Sequence, residues 1–143
     1  MTLPYNDRYF NRGLDLFNRA HFFDAHEVLE EVWRAVPRDH RSRRHLRLHV
    51  QGMVQLAVAF HHQSTGNRAG ACSVLKRALR NLSGAEGSFP DLDFDRLRPE
   101  LQLWQRHLDD SANADSKKKE MEFGGQDLRR HSAPPLPKIT RLR

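Results

Sequence analysis

The sequence contains very little cysteine and has no long hydrophobic run. Cys72 is the single cysteine, so no disulfide can form within the chain, and we expect a reducing compartment. The longest nearly apolar stretch is VQGMVQLAVAF, which is shorter and more polar than the roughly 20 apolar residues that span a bilayer. The N-terminal residues lack the basic region and apolar run of a signal peptide. We therefore expect a cytoplasmic protein with no membrane partner.

Acidic residues are too few to balance the basic ones, and the formal net charge is +6. Residues 1–110 carry 16 Lys and Arg against 14 Asp and Glu, whereas residues 111–143 carry 8 against 4. The second region also contains Gly-Gly, Pro-Pro and scattered charge, a composition that favours disorder. This division predicts one domain over residues 1–110 and a basic, disordered tail over residues 111–143. The tail is a candidate arm for nucleic acid or another acidic partner.

The alternation of β-branched residues that is typical of strands is absent, and apolar residues recur every three or four positions instead. This periodicity predicts an all-α fold, a compact array of about five helices built from helical hairpins. The predicted helices cover residues 6–19, 25–36, 43–63, 68–82 and 99–108. Gly66 is placed to end the third helix, and Asn67 is placed to cap the fourth.

A weak internal repeat relates the second predicted helix to the fourth at an offset of 46 residues. His26 aligns with Cys72 and Glu30 aligns with Lys76, so the polar positions differ. The apolar positions agree, because Ala25, Val28, Leu29, Val32, Trp33 and Val36 align with Ala71, Val74, Leu75, Ala78, Leu79 and Leu82. Such a pattern is typical of helical-repeat proteins that act as interaction modules.

Polar residues interrupt two otherwise apolar helices. In HFFDAHEVLEEVWR, residues 21–34, Asp24 and Glu27 are placed as a capping box. On the same helix, His26 and Glu30 lie one turn apart. Residues 50–60 are apolar on nearly every side, as in a central buried helix. Gln51, Gln55 and His62 form one polar stripe on this third predicted helix. Short connections make consecutive helices neighbours, so we expect the two sets to meet. The resulting inward site comprises His26, Glu30, Trp33, Gln51, Gln55 and His62.

Two interpretations of this inward site stay open. In the first, its residues form a hydrogen-bond network that fixes the register of two helices and does nothing else. In the second, the site binds a small ligand, or His26, Glu30 and His62 hold a divalent metal. HEVLE resembles the H-E-x-x-H metal motif but ends on Glu30 instead of histidine. If the protein is an enzyme, we expect metal-assisted hydrolysis, with Glu30 or Glu27 assisting a metal-bound water.

A basic stretch, RDHRSRRHLRLH, begins just after the second predicted helix. Such a cluster is suited to phosphates of RNA or to another anion, but no aromatic residues are interleaved for base stacking. A solvated basic loop is the other interpretation. Cys72 has no obvious activating base and is expected to pack rather than to react. The sequence also leaves a homo-oligomer open. The arginines of the basic stretch are Arg38, Arg41, Arg43, Arg44 and Arg47.

Three motifs, AHEVLEEVW, QGMVQLAVAFHH and GN-x-x-GA, resemble the family catalogued as domain of unknown function 309. This family comprises small helical proteins from bacteria, archaea and plastids, and the resemblance covers about residues 10–82. It implies a compact array of about five helices, and it does not imply any particular activity. It also implies that the family's histidine, glutamate, tryptophan and glutamine positions are matched here by His26, Glu30, Trp33, Gln51 and Gln55. We therefore expect a binding or metal-site protein, and an interaction module is the alternative.

Overall fold

The computed structural model describes residues 7–38, 44–118 and 132–142. These residues form five α-helices and, between the last two, a short 3-10 helix at Ala85–Gly87. The predicted all-α class with about five helices is confirmed. Within these ranges, no helix is both long enough and apolar enough to cross a membrane. The helices are α1 Asp7–Asn18, α2 Phe22–Ala35, α3 Arg44–Ser64, α4 Arg68–Asn81 and α5 Phe94–Lys118.

The start of α2 differs from its prediction, because the helix begins at Phe22 and not after Asp24. Ala20 adopts a left-handed φ of 65°, which turns the chain sharply after α1. The N-cap residue is His21, whose side chain makes no capping hydrogen bond. Phe22 is thereby buried, with its ring 5.2 Å from that of Phe17. Burying an aromatic side chain is worth about 1.5–3 kcal/mol, which exceeds the roughly 1 kcal/mol of a capping bond.

α3 is the central helix, and it packs between α2 and α4. Gly52 permits the close contact with α4, since a Cβ there would lie 2.8 Å from Leu82 Cγ. The predicted end of α3 is confirmed, because Gly66 has a φ of +84° that ends the helix. The predicted cap of α4 is confirmed as well, since Asn67 Oδ1 accepts a hydrogen bond from the Gly70 N–H at 2.9 Å.

α2 and α4 flank α3 and bury equivalent residues. The alignment at an offset of 46 residues therefore describes a real similarity of packing. It arises because both helices present one apolar face to the same central helix. The buried residues are Ala25, Leu29, Val32 and Val36 on the α2 side and Ala71, Leu75, Ala78 and Leu82 on the α4 side.

α5 is longer than the predicted last helix and includes Pro99 within it. Trp104 anchors α5 in the core, and its ring meets that of Phe60 edge-on at 5.2 Å. The exposed Pro99 removes one internal hydrogen bond, but the carbonyl left without this bond is on a solvent-facing side of the helix. α5 packs against α4 and completes the helical array.

Part of the predicted tail packs against the helices. Residues 111–118 continue α5, and residues 132–142 lie along the body with Ile139 only 5% exposed. The Asp93 N–H donates to the Thr140 carbonyl at 2.8 Å, so this segment pairs with the chain that leads into α5. Disorder over the whole of residues 111–143 is therefore incorrect for these two parts, while residues 119–131 lie outside the described residues. The boundary of the domain at residue 110 stays a prediction.

Candidate functional site

His26 and Glu30 form the one polar contact within the predicted inward site, all six residues of which the structure describes. His26 Nε2 lies 3.1 Å from Glu30 Oε2, one helical turn away, and His26 Nδ1 lies 3.2 Å from the Phe23 carbonyl oxygen. Glu30 Oε1 accepts a hydrogen bond from Arg34 Nη2 at 2.9 Å, one further turn along. We call His26, Glu30 and Arg34 the α2 ladder. It lies along α2 beside Tyr9 of α1, and no hydrogen bond among the described residues joins it to the polar stripe of α3.

The polar stripe of α3 is bound to α4 and not to α2. Gln55 Oε1 accepts a hydrogen bond from Asn81 Nδ2 at 2.8 Å. His62 Nδ1 lies 3.3 Å from Asn67 Nδ2, at the turn between the two helices. Gln51 is half-buried on α3. The two polar sets therefore do not meet, because a central helix has two neighbours and its stripe faces the one that follows it in the chain.

The predicted metal ligands do not converge. His26 and Glu30 contact each other on α2, whereas His62 contacts Asn67 at the turn after α3. In the described part of the chain, no group of three or more His, Cys, Asp and Glu side chains is arranged to hold a metal ion. The described residues do not assemble a His26–Glu30–His62 metal site, which therefore stays a prediction.

Trp33 belongs to the contact between α2 and α3. The Arg47 guanidinium lies 4.0 Å from the centroid of the Trp33 ring, a cation–π contact. Arg47 Nη1 also donates to the carbonyl oxygen of Val36 at 3.0 Å and to that of Trp33 at 3.4 Å. These carbonyls end α2, where a cation satisfies acceptors that have no helical partner. Arg47 thus stabilises a helix end.

The remaining arginines of the basic stretch give no defined anion site. Arg38 and Arg44 are exposed to solvent. Arg41 and Arg43 lie outside the described residues. Together with the structural role of Arg47, these positions leave the predicted RNA or anion contact without a specific geometry.

A groove of about 410 Å³ follows the α2 ladder. Its lining contains three carboxylates and one guanidinium, an acidic excess in a chain whose formal net charge is +6. Arg34 contacts both Glu30 and Glu31, at 2.9 and 2.6 Å. The ring of Tyr9 borders the groove and is 46% exposed. Such a surface attracts cationic groups. The lining residues are Tyr9, His26, Glu27, Val28, Glu30, Glu31 and Arg34.

The equivalent flank of α4 is covered by α5. Cys72 and Lys76 occupy the positions that align with His26 and Glu30. Asp109 of α5 accepts a hydrogen bond from Cys72 Sγ at 2.9 Å and lies 3.3 Å from Lys76 Nζ. The two halves of the repeat therefore differ in what lies on this flank, which is a helix on α4 and an acidic groove on α2.

Cys72 is not activated as a nucleophile. Burial raises the pKa of its thiol, and the hydrogen bond to Asp109 and the negative charge of that carboxylate raise it further. The same hydrogen bond is the main reason why the pKa of Asp109 is lowered. A raised thiol pKa leaves less of the reactive thiolate at neutral pH.

His49 is a buried polar residue that the sequence analysis did not identify. It is 6% exposed, and its Nε2–H donates to the Ser83 carbonyl at 3.0 Å while its Nδ1 accepts from the Ser88 hydroxyl at 2.5 Å. A neutral imidazole supplies one donor and one acceptor, so it satisfies both contacts. Burial is the main cause that lowers the pKa of His49. Its spacing of four and seven residues before Met53 and Leu56 is the signal that places it on the buried face.

Comparison with known proteins identifies a matching family and related sequences of uncharacterized proteins. Residues 10–74 match the family described as Domain of unknown function (DUF309). The uncharacterized protein YpuF of Bacillus subtilis (strain 168) is 36% identical over 84 residues, which cover 59% of this chain and 45% of YpuF. An uncharacterized protein of Aquifex aeolicus (strain VF5) is 27% identical over 86 residues, 60% of this chain and 24% of that protein. No solved structure matches the chain.

The matched region contains α2, α3 and most of α1, and it ends within α4. It includes the α2 ladder but not α5 or residues 132–142. The chain spans less than half of the length of the two curated relatives. The resemblance seen in the sequence motifs is confirmed, because residues 10–74 match the model of the DUF309 family.

Proposed function

We propose that this chain is an interaction protein, and that its DUF309 domain binds a basic segment of a partner protein in the acidic groove along α2. One observation carries the proposal: on α4 the equivalent flank is occupied by α5, whereas on α2 it is an open groove. A flank that accepts a helix in one half of a repeat has the shape to accept a segment in the other half.

The charge of the expected segment follows from the residues that differ between the two halves. On α4, Lys76 is paired with the carboxylate of Asp109. On α2, Glu30 stands in the place of Lys76, so the complementary group is a cation. Arg34 now fills this role from within the chain, and its side chain is 58% exposed. A lysine or arginine of a partner therefore competes with Arg34 for Glu30 and Glu31.

The expected affinity of a short basic peptide is modest. An exposed ion pair contributes about 0.2–1 kcal/mol, because the charges are solvated and the side chains lose freedom. The exposed ring of Tyr9 adds about 0.5–1 kcal/mol if a cation lies over it. Several such contacts are needed, and binding should weaken as the salt concentration rises.

The test is a titration of the ¹⁵N-labelled full chain with the peptide Lys-Arg-Lys-Arg, followed by two-dimensional NMR. Shift changes should concentrate on the amides of Tyr9 and residues 26–34. The change Glu30→Gln, which removes charge and keeps shape, should lower the affinity several-fold. Asp110→Asn is the matched control, since Asp110 is an exposed carboxylate on α5 away from the groove.

Two results would contradict the proposal. One is a set of shifts spread over all acidic surfaces, with equal losses of affinity in Glu30→Gln and Asp110→Asn. The other is tight binding of Zn²⁺ added alone that is lost in His26→Ala, with no response to the peptide. In that case, the His26–Glu30 pair is a metal site completed by groups from elsewhere.

A further inference from the structure

Residues 132–142, SAPPLPKITRL, form an extended segment that contacts α1, α5 and the chain before α5, and we call it the C-terminal segment. Asn18 of α1 forms hydrogen bonds with the main chain of this segment. Asn18 Nδ2 donates to the Ile139 carbonyl at 2.9 Å, and the Ile139 N–H donates to Asn18 Oδ1 at 2.7 Å. One carboxamide thus satisfies both backbone groups of a single residue, a contact that depends on an extended backbone and not on the side chain.

A second contact is typical of proline-rich recognition. The Trp104 indole N–H donates to the Pro135 carbonyl at 2.9 Å. Prolines fix φ and favour an extended helix with no internal hydrogen bonds, so their carbonyls are free for such donors. Aromatic grooves that bind Pro-rich segments use this preformed backbone, which loses little entropy on binding.

The side chains of the C-terminal segment alternate between buried and exposed. Pro137 and Ile139 are buried, whereas Leu136 and Lys138 point to solvent. Toward its end the segment pairs with residues 91–93, where the Leu142 N–H donates to the Asp91 carbonyl at 2.8 Å. The backbone hydrogen bonds provide binding energy that is independent of sequence, and the two buried positions provide specificity.

The C-terminal segment does not fill the surface it occupies. A groove of about 780 Å³ lies beside it, bordered by Ile139 and Arg141 on one side and by Leu14 and Phe89 on the other. An extended peptide with larger side chains therefore has room that the resident segment leaves open. This space is distinct from the acidic groove along α2, because the two sets of lining residues share no member.

We propose that this surface is a second binding site, specific for extended Pro-x-Pro-x-Ile segments of partner proteins, and that the C-terminal segment is its tethered competitor. Three features define it: the Asn18 carboxamide, the Trp104 indole and the two buried positions of Pro137 and Ile139. Covalent attachment gives the resident segment an effective concentration in the millimolar range. A partner must therefore bind tightly or present several such segments. The site lies partly outside residues 10–74, so it does not depend on the function proposed for the α2 groove.

The test uses the full chain and the synthetic peptide SAPPLPKITRL with a fluorescent label, measured by fluorescence anisotropy. The change Ile139→Asp releases the resident segment, because an aspartate is poorly accommodated at a buried position. This variant should bind the peptide at least about 10-fold more tightly than the wild-type chain, since it lacks the tethered competitor. Adding Asn18→Ala to it should abolish binding. Asn81→Ala is the matched control and should leave binding unchanged, since Asn81 pairs with Gln55.

A folded Ile139→Asp variant that ignores the peptide would overturn the proposal, as would equal binding by this variant and the wild-type chain. If Ile139→Asp does not fold, Ile139→Ala provides the same comparison with a smaller release. The indole N–H signal of Trp104 is the independent readout. It should shift in Ile139→Ala and return toward its wild-type position as peptide is added, and an unchanged signal would also exclude the site.

Discussion

The carboxamide of Asn18 is hydrogen-bonded to both main-chain polar groups of Ile139, 121 residues later in the chain. The end of the first helix is therefore joined to the C-terminal segment. This contact gives the segment a role in stability as well as in the proposed recognition of peptides. It also connects the region that matches the DUF309 family with residues that lie beyond this match.

Replacing Asn18 tests this contact in the wild-type chain. Asn18→Ala removes two hydrogen bonds and leaves the N–H and carbonyl of Ile139 partly buried without these partners. At about 1 kcal/mol for each bond, we expect a loss of roughly 1–3 kcal/mol in the free energy of unfolding. Urea unfolding measures the loss, and hydrogen exchange should accelerate at the Ile139 amide. Unchanged exchange at this amide would indicate that the C-terminal segment is held by other contacts.

Gly52 provides a test of the packing between α3 and α4. In Gly52→Ala the new Cβ would lie 2.8 Å from Leu82 Cγ and 3.3 Å from the Ala78 carbonyl oxygen. Since the backbone cannot easily move away, we expect a loss of about 1–3 kcal/mol, measured by urea unfolding. Gly87→Ala is the control, because nothing lies within 4 Å of a Cβ there. Equal stabilities of the two variants would contradict the close approach of the helices.

The fold could be predicted from the sequence because its determinants are local and repeated. The spacing of apolar residues in α2 and α4 is sufficient to identify two helices with the same buried face, and Gly66 and Asn67 mark the turn before α4. Tertiary contacts explain where the structure differs from the predicted helices. The burial of Phe22 moved the start of α2, because this gain exceeds that of the capping bond predicted at Asp24.

The site was harder to predict because its direction depends on which helices are neighbours in space. The stripe containing Gln55 has the same sequence pattern whether it faces α2 or α4. The hydrogen bond from Asn81 to Gln55 shows that it faces α4. The order of the C-terminal segment was hidden by composition, because two buried residues, Pro137 and Ile139, lie in an otherwise polar region. The average composition of residues 111–143 does not reveal these two buried side chains.

Cys72 should react slowly with thiol reagents, because burial and Asp109 both raise its pKa. Asp109→Asn removes the negative charge but leaves the burial, so we expect the rate of reaction with Ellman's reagent at pH 8 to rise several-fold without reaching that of a free thiol. The neighbouring change Asp110→Asn serves as the control, since no effect of Asp110 on the thiol is among the causes of the shift. A rate that is the same in all three proteins would show that access alone limits the reaction.

His49 should make the stability of the protein depend on pH. Its pKa is lowered in the folded state, so the unfolded chain binds a proton more readily than the folded chain. The contribution of the neutral imidazole is therefore fully present above the unfolded pKa of about 6.5, and it is lost as the pH falls through the lower pKa of the folded state. We expect the free energy of unfolding to decrease between pH 7.5 and pH 5, measured by urea unfolding at each pH.

His49→Gln isolates this contribution, because glutamine retains a donor and an acceptor but does not titrate in this range. The variant should be less stable than the wild-type protein at pH 7.5, since Gln cannot reproduce both contacts with Ser83 and Ser88. Its stability should then fall less steeply toward pH 5, so that the two curves approach each other. His21→Gln, at an exposed histidine, should keep the wild-type slope. Parallel curves for His49→Gln and the wild-type protein would mean that other groups control the pH dependence.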